Sequence, residues 1–150
     1  MNLHGGLGYL ERIRDDLIRL AIRQASENLD LPQLEPYLRP ILELVKGNPE
    51  HECLFKKSFI ELSTGTKPHT DWILLYCMRE LRYVEVQATV NAWFDSLGGP
   101  AGAPRLMNFV SDVNWVFDSA PWEYAVFFRY YWEREHPGEP WPCEPKQEEK

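Results

Sequence analysis

Cysteine is scarce in this chain, with three in 150 residues, at positions 53, 77 and 143, and no two of them form a Cys-x-x-Cys pair. An odd number at wide spacing excludes a disulfide framework and a four-cysteine zinc site, and is the usage of a reducing compartment. Long apolar runs are missing as well. No stretch reaches the ~18 apolar residues that a membrane-spanning helix needs. The opening residues MNLHGGLGYLERIRDD hold no basic segment followed by an apolar block, so no signal peptide is expected and the cytoplasm is the expected location. Positive charge is short: the net charge is −7 at pH 7. Nucleic-acid binding is thereby excluded, because neutralising phosphates takes a surplus of Lys and Arg on one face, whereas a basic protein partner is compatible. Period-two alternation bounded by hairpin turns is absent, and strands are not expected. No HExxH, GxSxG or Walker-type loop occurs, and no repeat signature. The glycines in HGGLG (4–8) follow no strand, which removes the phosphate-cradle reading.

What the chain does have is apolar and aromatic content, 44% hydrophobic residues with six Trp, seven Tyr and seven Phe, enough for a real core. A single domain of this length buries about 68–70% of the surface its unfolded form exposes. The organising stretch is 71–97, DWILLYCMRELRYVEVQATVNAWFDSL, the longest without Pro or Gly. Trp72, Leu75, Tyr76, Leu81, Val86, Val90, Trp93 and Leu97 recur at helical steps, and 72–78 is apolar without interruption, which suits a central helix surrounded by others. A rod of that length exceeds the usual globular helix and the apolar step fails at Arg82-Tyr83-Val84, so a break there, giving a hairpin of two helices, is expected.

Around it, Pro and Gly punctuate. Residues 2–8 read as a loose leader. A first helix is expected from Tyr9 to near Asn28, and a second after Leu31-Pro32 to Lys46, with Pro40 kinking it or delaying its start. Asn48-Pro49-Glu50 starts a third that stops at Gly65. Gly98 to Pro104 reads as a flexible linker. Leu106 to Phe117 is a further helix, and Ser119-Ala120-Pro121 opens the last one. After His136 four prolines and mixed charge imply a disordered tail. The expectation is an all-α fold: one domain over residues 1–136, an irregular bundle of about six or seven helices in hairpins, and a flexible tail over 137–150.

Residues able to carry chemistry are few. Glu50, His51, Glu52 and Cys53 resemble a metal cluster, but neighbours on a helix point ~100° apart and cannot converge on one ion. They read as a charged helix start; no metal and no cofactor are expected. His69 and Asp71 flank the start of the central helix, as an acid/base pair facing a pocket or as capping residues. Asp112 and Asn114 interrupt an otherwise apolar helix, and Asn114 beside Trp115 calls for a specific hydrogen-bond partner. These four residues, His69, Asp71, Asp112 and Asn114, form the candidate pocket, placed between the central and last helices. The aromatic segment 121–141 places rings on both sides of one helix. Exposed Tyr and Trp beside charge make a protein-binding surface, so Trp122, Tyr124, Arg129, Tyr130, Trp132, Glu133 and Glu135 are the candidate partner-binding residues. A core helix between two layers accounts for the same pattern.

The phrases LLYCMRELRYVEV (74–86) and FRYYWE (128–133) resemble small uncharacterised helical proteins of bacteria, some of which accompany secreted toxins as immunity proteins. The resemblance covers a small part of the chain and carries no catalytic motif. It implies a bacterial binding protein; with the acidity, the aromatic C-terminal segment and the absence of a reactive constellation, the expected function is a non-enzymatic immunity or inhibitor protein that neutralises a partner toxin by direct binding. Two other readings stay open: a small-ligand binder or enzyme using the pocket, and a self-associating scaffold or homodimer.

Overall fold

The computed structural model describes residues 3–64, 68–118 and 128–142, with side chains from Gly8 onward. Among the described residues the fold is all-α, with no strand. The α-helices are α1 (Leu3–Ala25), α2 (Leu31–Lys46), α3 (Glu52–Ser63), α4 (Asp71–Leu81), α5 (Val84–Ser96), the single turn α6 (Gly99–Gly102), α7 (Met107–Phe117) and α8 (Arg129–Glu135).

The apolar run does become the interior. Ile73, Leu74, Leu75, Tyr76, Cys77 and Met78 are all buried, so α4 has no wet side along its middle. It packs against α2, α3 and α7, and its Tyr76 ring meets Phe128 and Tyr131 edge to face, with centroids 4.9 and 5.1 Å apart. Each fully buried side chain of this size contributes about 1.5–3 kcal/mol. The break falls at Arg82, which adopts the left-handed conformation (φ 53°) and ends α4. Its guanidinium crosses to α7 and donates to the carbonyls of Val116 (3.3 Å) and Phe117 (2.6 Å), which the end of that helix leaves unpaired.

Several boundaries differ from expectation. The leader is not loose: α1 begins at Leu3 and runs through Gly5, Gly6 and Gly8, which lower helix propensity without ending the helix. Pro36 and Pro40 neither delay nor end α2. With Pro32 they stand four apart, so the bonds lost are Pro36 N to Pro32 O and Pro40 N to Pro36 O, all on one stripe. Pro36 is exposed and Pro32 and Pro40 are half-buried, so the freed carbonyls lie on a stripe that faces toward solvent, where losing those bonds costs least. Asn48 does not cap the turn it precedes; its amide donates back to the Leu44 carbonyl at 2.8 Å. The expected flexible linker is a packed corner, with Gly99 and Ala103 buried. Gly98 sits at φ 99°, and a Cβ on Gly102 would lie 2.1 Å from the Leu97 carbonyl oxygen, so both positions need glycine. The chain also stays on the fold past residue 137. Trp141 is buried against Trp132, ring centroids 5.8 Å apart, so an apolar indole holds the proline-rich segment down that far. The start expected for the last helix, 119–121, lies outside the described residues.

Candidate functional site

The face nominated for partner binding is built on α8. Its position depends on Glu35, a carboxylate in the buried stripe of α2 beside Leu34 and Leu38. Glu35 is only 6% exposed. Its Oε1 accepts the Arg129 N–H at 2.6 Å, and its Oε2 accepts the Tyr130 N–H at 3.1 Å and the Tyr76 hydroxyl at 2.7 Å. One buried anion thus satisfies two open N–H groups at the start of α8 and ties that helix to α2 and α4. Burial, and then the Glu35 carboxylate, push the Tyr76 phenol far above its ordinary range. Tyr131, raised chiefly by burial, donates its hydroxyl to the Tyr76 carbonyl. Residue 35 follows Leu31 by four and precedes Leu38 and Leu42 by three and seven, so it falls on the apolar stripe of its helix. That misplaced charge is the sequence signal that identifies it.

On the outer side of α8, Tyr130 is half-buried and surrounded by cations. Arg39, Lys46 and Arg134 lie 5.1, 5.4 and 5.3 Å from its ring centroid. Lys46 also donates to the Tyr130 hydroxyl and to Glu80, both at 2.9 Å, and Arg134 pairs with Glu80. Burial raises the Glu80 carboxyl, but hydrogen bonds from Lys46 and Arg134 outweigh that and hold it below its ordinary range. Arg39 pairs with Glu43 at 2.6 Å and Arg129 with Glu133 at 3.2 Å, one turn apart on their helices. Arg129, Tyr130 and Glu133 therefore share a surface.

Two nominated residues play other parts. Trp132 is buried, its indole stacked on His136 at 4.6 Å and met by Trp141, because the expected tail returns over it. Glu135 is drawn into an ion pair with Arg79 of α4 at 2.6 Å. Trp122 and Tyr124 lie outside the described residues.

The candidate pocket divides. His69 and Asp71 line one cavity of about 370 Å³ together with Leu62, Ser63, Thr70, Trp93, Leu106 and Phe109. Its lining comes from α3, α4, α5, α7 and the residues just before α4 and α7, and no residue of the last helix enters it; α8 meets α4 at Tyr76, Arg79 and Glu80 instead. Neither His69 nor Asp71 caps: Thr70 holds the N-cap position and makes no side-chain cap bond. Asp112 stands one turn after Phe109 on α7. Burial, and then the negative charge of Asp71, push its carboxyl above the ordinary range. Asn114 points elsewhere and exchanges amide hydrogen bonds with Asn91 at 2.8 and 3.0 Å, with Gln87 adding a third at 3.0 Å. This is the specific partner that its setting called for, and it joins α5 to α7.

Among the described residues no group of three or more His, Cys, Asp or Glu converges as metal ligands would. His51 pairs loosely with Glu50 at 3.8 Å, as a charged helix start does. Cys53 is exposed, whereas Cys77 is fully buried and its thiol is pushed far up by burial. No protein-family model, curated protein or solved structure matches the chain.

Proposed function

We propose that this chain is a non-enzymatic protein-binding protein, of the immunity or inhibitor kind, that neutralises a basic protein partner by docking it on the face shared by α2 and α8. The observation that carries the reading is Tyr130, a half-buried ring held by Arg39, Lys46 and Arg134. Tyr and Arg supply most of the binding energy at protein interfaces, and side chains already fixed before association lose less entropy on docking. The ion pairs of Arg39 with Glu43 and of Lys46 and Arg134 with Glu80 fix these groups in place. They also leave the patch near neutrality, so affinity comes from the Tyr and Arg anchors. The overall charge of −7 acts at longer range and speeds encounter with a basic partner.

The test is a photo-crosslinking residue in place of Glu133, exposed beside Tyr130, in the native host. A single partner with a basic surface, captured near one-to-one, is the expected product. Repeated absence of any stoichiometric protein adduct at that position contradicts the reading.

A further inference from the structure

We propose that the cavity lined by Asp71, Thr70, Trp93 and Phe109 binds an alkylammonium group, a protonated primary amine on an aliphatic stem, independently of the docking face on α2 and α8. The lining matches the two halves of such a ligand. Leu62 and Leu106 give apolar wall for a methylene chain, and Trp93 and Phe109 add aromatic rings, the side chains that attract cations, to the same lining. The carboxylate of Asp71 supplies the counter-charge. Neither Asp71 nor Asp112 has an ion-pair partner among the described residues.

A second observation points to an occupant. Thr70 is only 8% exposed, yet its hydroxyl makes no hydrogen bond to the described protein and does not cap α4, although Thr70 is the N-cap residue. The residue is buried but its Oγ1 is not sealed off by protein, which leaves the hydroxyl open to whatever fills the adjoining space. The open space beside it is this cavity, where an ammonium can donate to Thr70 Oγ1 and to Asp71. Ser63 in the same wall already donates to the Ile60 carbonyl at 2.6 Å, which leaves its oxygen facing outward only as an acceptor. An anion is disfavoured, since among the described residues no Lys or Arg lines the space and Asp71 repels it. A divalent ion lacks ligands, with one carboxylate and one imidazole in the lining.

The probes are n-pentylammonium, Nα-acetyl-lysine N-methylamide and the neutral isostere n-pentanol, titrated into the intact chain and followed at the Trp93 indole N–H by NMR. Saturable shifts with both amines, at least about tenfold weaker with pentanol, are expected, since a charge-assisted hydrogen bond is worth that factor. Asp71→Asn should weaken the amines by about tenfold. Thr70→Val should also weaken them while leaving the melting temperature unchanged, because the hydroxyl it removes has no protein partner. Tighter binding of the lysine derivative assigns the source to a protein side chain, and tighter binding of the free amine assigns it to a metabolite. No saturable shift, equal binding of pentanol, or amine affinity untouched by both substitutions would overturn the proposal.

Discussion

Glu35 shows how much one side chain can decide. It is a buried anion that accepts three hydrogen bonds, from Tyr76 and from the Arg129 and Tyr130 N–H groups, and so fixes where α8 sits. Glu35→Gln replaces one acceptor oxygen with a donor that faces donors. The expected loss is about 2 kcal/mol of unfolding free energy, the cost of leaving a buried polar group unpaired. Urea denaturation checks this, and a change under ~0.5 kcal/mol would mean that α8 does not depend on the carboxylate. The residue is legible in retrospect, since position 35 lies on the apolar stripe with Leu31, Leu38 and Leu42. What the pattern could not disclose was the partner, because the backbone N–H groups of Arg129 and Tyr130 lie more than ninety positions away in the chain. Asn114 was the easier case: a half-buried amide among apolar neighbours demands a bond, and Asn91 on α5 provides it.

At the scale of elements, the sequence was most informative where apolar spacing was unbroken. The six buried positions of α4 follow from a run that leaves no polar side, and the break at Arg82 follows from the failed step after Leu81. Glycine and proline misled, because they report local preference and tertiary packing overrides it. Gly5, Gly6 and Gly8 lie within α1, Pro36 and Pro40 within α2, and Gly98 to Pro104 forms a packed corner in place of a free linker. Arg82 sets two effects against each other. A non-glycine residue in the left-handed region costs ~1–2 kcal/mol, so glycine would relieve strain there. The same arginine pairs with the last carbonyls of α7, and hydrogen bonds from a charged donor are worth ~1.5–3 kcal/mol before discounting for exposure. With two such bonds lost, Arg82→Gly should come out net destabilising by about 1 kcal/mol in a urea titration. A gain in stability would show that the strain outweighs the tie between α4 and α7.

For the whole molecule, one buried helix at the centre leaves the proposed recognition to the outside. The rings of the aromatic C-terminal segment divide between interior and surface. Tyr131 and Trp132 enter the core or are covered, and Tyr130 remains half-open among Arg39, Lys46 and Arg134. Spacing alone showed that rings faced both ways around that helix. It could not show which of them the returning segment at Trp141 would cover. The ion pairs that hold the Tyr130 cluster join α2, α4 and α8, so the proposed docking face is a product of the assembled fold and of no single helix. The most direct measurement is the dissociation constant of the crosslink-identified partner by titration calorimetry, for the original chain and for Tyr130→Ala. The account predicts weakening by at least ~30-fold, the mark of a central interface residue, with the circular dichroism spectrum unchanged. Equal affinity in a folded Tyr130→Ala chain would contradict it.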